Sequence, residues 1–177
     1  GMVSMLGIER QEGFGLGKQL FFYITARCIA MDKGYDFSVL DPEHFANNMH
    51  SDCGLYFMDL DYGVPSKKED YRKIYYEKED RLFAGNSKHD LTHGVYITDT
   101  DKGLFDVEDN TLLYGNFQAE DYFIHHKAEI KNWLRVKEEY DCREYSRDNL
   151  CILHLRCSDY MGSPELYLRK KYWIQGM

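Results

Sequence analysis

Long apolar runs are absent from this sequence. No stretch approaches the roughly 18 hydrophobic residues of a membrane-spanning helix, and no basic segment leads into an apolar run. We therefore expect no membrane span and no secretion signal, and we assign the protein to the cytoplasm. The five cysteines are odd in number and include no Cys-x-x-Cys pair, which favours reduced thiols over a disulfide framework or a zinc site.

Positive charge is scarce as well. The chain has 22 Lys and Arg residues against 30 Asp and Glu residues, so its formal net charge is −8. Such a field repels phosphate backbones, which argues against a nucleic-acid partner. A small phosphorylated ligand remains compatible, because a few local cations and backbone N–H groups act at short range. With 177 residues, 44% of them hydrophobic, the chain is long enough to bury a core.

The order of elements at the start of the chain predicts an α/β fold. Residues 3–9 form a short apolar run, residues 19–33 have helical spacing with Gly34 as the C-cap, and residues 35–40 alternate like a strand. Strand, helix, strand is one βαβ unit. Further along, the pattern predicts helices at 65–80 and 119–136, strands at 94–98 and 111–114, a strand or loop at 54–61, a doubly buried strand at 150–155 and a helix starting at Ser163.

A glycine-rich turn joins the first strand to the first helix. Gly15 and Gly17 allow a ligand to approach the backbone, and Lys18 and Gln19 lie in the first turn of the helix, whose free N–H groups favour an anion. The turn is neither a complete dinucleotide fingerprint nor a P-loop. A tight strand-to-helix turn with a solvated Lys18 remains the plain alternative.

Two further segments carry candidate polar contacts. A strand at 150–155 would present His154 and Arg156 on one side at its carboxyl end, where ligands of open α/β sheets collect. The Arg156 guanidinium suits a diphosphate, and Asp159 could orient it, although an Arg–Asp pair that merely closes a loop is equally compatible with the spacing. Between these segments, Gln118 and Glu120 follow the strand at 111–114.

Two pairs of histidines are candidate metal ligands, and neither pair supports a metal site well. His89 and His93 have the spacing of a helical zinc pair, but the glycines around them argue against a helix, and no third ligand is evident. His125 and His126 are adjacent, so on a helix their side chains would point about 100° apart. We therefore predict no metal site.

Taken together, the three segments resemble the bacterial α-1,2-fucosyltransferase family. Residues 15–23 read Gly-Leu-Gly-Lys-Gln-Leu-Phe-Phe-Tyr, where the family has Gly-Leu-Gly-Asn-Gln-hydrophobic-Phe-x-Tyr. Residues 115–123 are similar to its Gly-Tyr-Phe-Gln-Ser-Glu-x-Tyr-Phe stretch, and residues 154–160 to its His-x-Arg-Arg-Gly-Asp-Tyr. Lys18 replaces the family Asn, and Cys157-Ser158 replaces its Arg-Gly, so the second arginine is missing.

The resemblance implies a Rossmann-like three-layer domain, the N-terminal half of a GT-B-type glycosyltransferase, followed by the first βα unit of the second half. We place the acceptor-side domain at 2–137, a linker at 138–148 and a truncated start of the donor domain at 149–177. A face left open by the truncation is then a candidate surface for a dimer.

The activity that the resemblance implies is inverting transfer of fucose from GDP-fucose to a sugar hydroxyl, in surface polysaccharide synthesis, without a cofactor or required metal. Its partners are a nucleotide sugar and a glycan acceptor. Arg156 would stabilise the departing GDP, and Asp159 or Glu120 would help to deprotonate the acceptor. Two alternatives stay open: a truncated, inactive binding or assembly module, and a transferase that uses another nucleotide sugar.

Overall fold

The computed structural model describes residues 3–50, 52–78, 81–83, 96–98, 100–154, 162 and 168–176, with only the backbone described at 81–83 and 96–98. The chain divides into two compact units. The first comprises Gly1–Glu79 and Asp99–Asp141, and the second comprises Asp80–Thr98 and Cys142–Met177. The break after Asp141 falls inside the predicted linker, whereas the segment Asp80–Thr98 groups with the C-terminal residues.

The regular elements are as follows. The strands are β1 (Met5–Glu9), β2 (Asp36–Leu40), β3 (Lys73–Tyr76), β4 (Arg81–Phe83), β5 (Tyr96–Thr98) and β6 (Thr111–Tyr114). The α-helices are α1 (Leu16–Lys33), α2 (Pro42–Phe45), α3 (Lys127–Trp133) and α4 (Lys170–Gly176). Six 3₁₀ turns are described, at Lys68–Asp70, Lys102–Asp106, Glu120–Tyr122, Ile124–His126, Glu138–Tyr140 and Arg143–Tyr145.

The predicted βαβ unit is confirmed. β1 and β2 pair in parallel from Met5 with Asp36 to Glu9 with Leu40, and α1 connects them. Gly34 adopts the left-handed conformation with φ 69°, and its backbone N–H reaches the carbonyls of Ala30 and Met31. Glycine suits this position because it has no Cβ, so a local signal correctly marks the end of the helix.

Four strands of the first unit form a parallel sheet in the order β2-β1-β6-β3. The fold is therefore α/β with a parallel sheet, which is compatible with a Rossmann-like arrangement. From β1 the chain runs to β2 on one side, while β6 and β3 lie on the other side. The strand order thus reverses between β1 and β6, the kind of position at which ligands of such sheets bind.

Aromatic side chains dominate the core between α1 and the sheet. Phe22 and Tyr23 of α1 are fully buried with Phe45, Phe117 and Tyr122. Tyr23 packs edge-on against Phe37 of β2 with ring centroids 5.4 Å apart. Offset and edge-to-face pairs of this kind add specific attraction to the burial of apolar area.

A different segment covers part of the opposite face of the sheet. Tyr71 packs against Gly7 of β1 so closely that a Cβ on Gly7 would collide with the tyrosine ring. The Tyr71 hydroxyl bonds to Ser66 Oγ at 2.7 Å, and Ser66 bonds in turn to Ser38 of β2 at 2.6 Å. A chain of hydroxyls therefore ties residues 66–71 to two neighbouring strands.

The helix predicted at 65–80 is wrong. Only the 3₁₀ turn Lys68–Asp70 precedes β3, which pairs in parallel with β6. Side chains alternate along a strand, so Tyr75 turns inward and donates to Asp101 at 2.8 Å, while Ile74 is 51% exposed. The charge-rich sequence concealed an edge strand, because such strands commonly carry charges.

The helix predicted at 119–136 is also largely wrong. Two 3₁₀ turns occupy residues 120–126, and α3 is only seven residues long. Phe123, with φ −140° and ψ −5°, and His126, with φ −108° and ψ 25°, both leave the helical conformation. Trp133 still reaches α1, where the Arg27 guanidinium lies 4.0 Å from its ring centroid.

The buried strand predicted at 150–155 is absent from residues 150–154, the part of this segment that the structure describes. Residues 150–154 contain no strand, and Ile152 is 71% exposed. An apolar run becomes a doubly buried strand only when neighbours cover both faces, and these residues lie open. The second unit also contains β4 and β5, which pair antiparallel, and α4. No helix within the described ranges is long and apolar enough to cross a membrane.

Candidate functional site

The carboxyl edge of the sheet, where β1 and β6 end side by side, is the candidate site. Gln11, two residues past β1, donates from Nε2 to the carbonyl of Gly115 just after β6, at 2.9 Å. At the last residue of each of these strands, the Tyr114 hydroxyl donates to Glu9. Two side-chain bonds thus link segments more than 100 residues apart in sequence at the point where the strand order reverses.

Glu9 is the carboxylate at this edge. Its side chain is 31% exposed, and Lys68 Nζ lies 3.4 Å from Oε1. Burial, reinforced by the bond to Glu9, raises the pKa of Tyr114, so this hydroxyl stays protonated and keeps donating at neutral pH. Glu9 was missed in the sequence, although it is the last residue of the predicted first strand and strand ends of this kind carry ligand contacts.

The glycine-rich turn lies beside this edge and opens α1. Gly15 is the N-cap, with φ −68° and ψ 171°, and Gly17 lies in the first helical turn. Both are exposed, and apart from the adjacent residues and the helix's own backbone, a Cβ added to either would meet no atom of the described residues within 4 Å. Packing within the chain therefore does not require glycine at these two positions.

The side chains after these glycines turn inward. Lys18 is half-buried, with Nζ 5.4 Å from the centroid of the Phe14 ring. Gln19 is 1% exposed, and its Nε2 donates to the carbonyls of Phe14 at 2.9 Å and Cys53 at 3.0 Å. Gln19 Oε1 is buried and accepts no hydrogen bond from the described part of the chain. Gln19 thus holds the turn in shape with its amide nitrogen.

Arg10, the first residue after β1, binds the segment around Asp52 and Cys53. Its guanidinium is buried and donates to the carbonyls of His44, Asp52 and Cys53 and to Asp52 Oδ1, the last at 2.7 Å. Arg10 and Gln19 therefore share Cys53 as an acceptor. Because Arg10 is engaged in these bonds, it shapes the edge of the sheet and is not free to bind an anion there.

The segment after β6 is held by an internal carboxylate. Glu77 Oε1 accepts from the backbone N–H groups of Asn116 and Phe117, and Oε2 accepts from Tyr122 at 2.8 Å. The Tyr122 oxygen accepts in turn from the backbone N–H of Asp101 at 2.7 Å. This network fixes the path of residues 115–122 before any ligand binds.

Phe117 is conformationally strained. Its φ is 52°, in the left-handed region that bulky residues rarely adopt. Its ring is fully buried, stacked on Phe22 at 5.3 Å and edge-on to Tyr122 at 6.2 Å. Strain of this kind costs about 1–3 kcal/mol and persists only where the surroundings enforce it, commonly near functional sites.

Two of the three sequence segments that carry the resemblance pack together. Besides the Phe22–Phe117 stack, Thr25 Oγ1 donates to the Phe117 carbonyl at 3.3 Å. Phe21 and Phe123 approach with ring centroids 5.9 Å apart. The helix that follows the glycine turn thus packs along the segment that follows β6, so residues 15–23 and 115–123 form one continuous part of the molecule.

The remaining predicted residues that the structure describes belong partly to the first unit and partly to the second. Gln118 is half-buried next to Phe117, and Glu120 is exposed at the start of its 3₁₀ turn. His154 belongs to the second unit and is exposed. Arg156 and Asp159, the predicted catalytic residues, lie outside the described residues.

Two clefts of the first unit lie away from this edge. One of about 470 Å³ opens at the amino ends of β1 and β2, where it is lined by Val3, Met5, Asp36, Val64, Pro65, Asp70 and Asn110. The other, of about 730 Å³, is lined by Asp59, Lys137, Glu138 and Glu139. Carboxylates outnumber cations in both linings, so neither suits a diphosphate.

The histidine pair at 125–126 differs from its prediction. Both imidazoles turn toward Asp32 in the last turn of α1, and their ring centroids are 4.3 Å apart. The predicted divergence fails because these residues lie in a 3₁₀ turn that ends at a non-helical His126. Although burial opposes it, hydrogen bonding from His126 and His125 holds the pKa of Asp32 below its ordinary value.

No protein-family model, curated protein or solved structure matches the chain. The resemblance to the α-1,2-fucosyltransferases therefore stays a prediction that rests on residues 15–23, 115–123 and 154–160.

Proposed function

We propose that the chain is a glycosyltransferase-type protein of the α-1,2-fucosyltransferase kind. Its donor would be a nucleotide sugar, GDP-fucose by resemblance, and its first unit would bind the acceptor sugar at the carboxyl edge of the sheet. The observation that carries the proposal is the packing of residues 15–23 against residues 115–123, beside the reversal of strand order. Two motifs that are distant in sequence but pack against each other support a shared site better than two separate turns would.

The open space at Gly15 and Gly17 supports the same site. Glycines that no contact with the described residues requires are compatible with close approach of a ligand to the backbone. The acceptor is a neutral sugar, for which the partly exposed carboxylate of Glu9 supplies a hydrogen-bond acceptor, held in place by the hydroxyl of Tyr114.

The chemistry requires a base for the acceptor and a stabiliser for the leaving group. As the bond between fucose and phosphate stretches, the ring gains oxocarbenium character and negative charge grows on GDP. Glu9 is the base that we propose, because its carboxylate is partly exposed at the strand end. Stabilisation of the departing GDP falls to Arg156, as the resemblance implies; Asp159 remains the alternative base.

Gly17→Ala separates binding from folding. Because its Cβ enters open space on a helix, we expect stability to be unchanged or higher by about 0.5–1 kcal/mol. Ligand binding at the turn should weaken at least about tenfold if a ligand approaches the backbone there. Thermal shift measures the stability, and calorimetric titration with GDP-fucose and a panel of acceptor sugars measures the binding. Met31→Ala, at an exposed residue near the other end of α1, is the control.

Turnover tests the assignment as a whole. We expect GDP release from GDP-fucose in the presence of an acceptor, and a rate about 100-fold lower in Arg156→Ala, as for loss of one preorganised donor. Arg147→Ala, which removes an exposed arginine, should match the unmodified protein. If GDP-fucose neither binds nor turns over, this donor assignment fails, and stabilisation by a UDP-sugar alone would point to a different donor.

A specific observation favours a second candidate, a non-catalytic glycan-binding module. Residues 150–154, which were predicted to form the buried strand ahead of Arg156, are exposed and contain no strand. In that case sugar binding at the carboxyl edge would persist without turnover of any nucleotide sugar. Acceptor binding that Gly17→Ala weakens, with no GDP release from any donor, would identify this function.

A further inference from the structure

Asp32, His125 and His126 form a cluster on the surface of the first unit. His125 Nε2 lies 2.6 Å from Asp32 Oδ2, and His126 Nε2 lies 2.5 Å from Asp32 Oδ1. Each oxygen of one carboxylate thus holds one imidazole. The histidines are more than 90 residues from Asp32 in sequence, so the cluster joins the end of α1 to the turn before α3.

We propose that Asp32, His125 and His126 bind a divalent first-row transition metal, with Zn²⁺ as the best fit. One atom from each side chain lies within 4.8 Å of the other two. Two imidazole nitrogens and one carboxylate oxygen are a donor set that Zn²⁺ takes, and three protein ligands leave a fourth position for water or another group. This site is independent of the proposed transferase activity.

The geometry requires only small movements. Zn²⁺ bonds to nitrogen and oxygen at about 2.0–2.2 Å, so ligand atoms around a tetrahedral ion lie about 3.3–3.5 Å apart. The observed separations of 2.5 and 2.6 Å, which end on the two different oxygens of Asp32, must therefore widen by less than about 1 Å. The two imidazole nitrogens, which lie within 4.8 Å of each other, must reach the same spacing. The side chains of Asp32 and His125 are 32% and 45% exposed, which leaves room for this rotation. The metal would replace the protons that now lie between the imidazoles and the carboxylate.

A neighbouring carboxylate suits the role of outer partner. Glu129 Oε1 lies 3.6 Å from His126 Nδ1, the nitrogen that faces away from Asp32. Metal-binding histidines usually donate their second N–H to a carboxylate or carbonyl, which leaves the other nitrogen free to coordinate. Glu129 lies three residues after His126 on α3, so it is held at this position by the helix itself.

Titration of the chelator-treated protein tests the site. We expect calorimetry to show that the unmodified protein binds one equivalent of Zn²⁺. The variants Asp32→Asn, His125→Gln and His126→Gln should each lose this binding. Glu129→Gln should weaken binding about tenfold and not abolish it, as expected for a residue that acts through His126. His50→Gln, an exposed histidine outside the cluster, and the double variant His89→Gln with His93→Gln should both bind as the unmodified protein does.

Cobalt distinguishes this site from the cysteines. Co²⁺ bound to the cluster should give ligand-field bands without a sulfur-to-metal charge-transfer band, because the ligands are nitrogen and oxygen. Circular dichroism of each variant establishes that it is folded, and metal-induced thermal stabilisation should vanish with the ligands. The proposal is overturned if no stoichiometric binding occurs, if binding survives all three ligand variants, or if the cobalt spectrum reports sulfur.

Discussion

The hydroxyl of Tyr122 joins two parts of the chain that meet in the core. It donates to Glu77 after β3 and accepts from the backbone N–H of Asp101, while its ring packs against Phe117. Burial, reinforced by the bond to Glu77, raises the pKa of Tyr122, so the hydroxyl stays neutral. One atom thereby bonds to a half-buried carboxylate and to a buried amide at once.

Replacing Tyr122 by Phe removes that atom, so the buried backbone N–H of Asp101 loses its acceptor and Glu77 loses one of its donors. Because an unsatisfied buried group costs about 1–3 kcal/mol, we expect the free energy of unfolding to fall by about 2 kcal/mol. Urea unfolding measures the change. Tyr145→Phe, at an exposed tyrosine, should change it by less than about 0.5 kcal/mol. Equal stabilities for the two variants would show that the network contributes little.

At the scale of elements, the sheet is covered differently on its two faces. One face packs against the aromatic side of α1, whereas residues 66–71 lie on the other and bring Tyr71 onto β1. The contact depends on the absence of a side chain at Gly7. Irregular backbone thus covers part of a face for which an α/β sheet would ordinarily use a helix.

Gly7→Ala tests this contact. The added Cβ collides with the Tyr71 ring, so the ring must move, and we expect a loss of about 1–3 kcal/mol in the free energy of unfolding. In a Tyr71→Ala background the same change should cost less, because the colliding ring is gone; a double-mutant cycle in urea measures the coupling. Gly17→Ala is the matched control, since its Cβ enters open space. If the destabilisation by Gly7→Ala is the same with and without the Tyr71 ring, the two changes are independent and the packing described is contradicted.

At the scale of the whole molecule, buried tyrosines link stability to alkaline pH. Burial, which outweighs the opposing charge of Arg27, raises the pKa of Tyr23 to about 12. Burial and the hydrogen bond to Asp101 raise the pKa of Tyr75 to about 12 as well. In the unfolded chain both hydroxyls lose their protons near pH 10. Between these values the folded state holds protons that the unfolded state releases.

Stability should therefore be unaffected by these groups below about pH 10 and should fall as the pH rises from about 10 to 12. Urea unfolding at pH 8, 10 and 11 measures the decline, and Tyr23→Phe should make it shallower. Absorbance titration of the native protein should show a late phase, above pH 10, that comes from Tyr23 and Tyr75. A single phase near pH 10 in the native protein would contradict the expectation.

The sequence by itself determined the elements whose signals are local. The spacing of apolar residues along α1, the glycine that ends it and the alternation in β2 each act within a few residues, so the βαβ unit and its glycine turn could be predicted. The same holds for β6, whose apolar run lies at the centre of the sheet.

Tertiary structure decided the rest, because the deciding partners are distant in sequence. β3 is a strand because β6 pairs with it, and its own charge-rich residues resemble a solvated helix. The predicted helix after β6 breaks into short turns where Tyr122 bonds to Glu77 and where the histidines bond to Asp32. Glu9 meets Tyr114 across the point of strand reversal. Periodicity reports which side of an element is apolar, but only the folded chain determines which polar groups come within bonding distance.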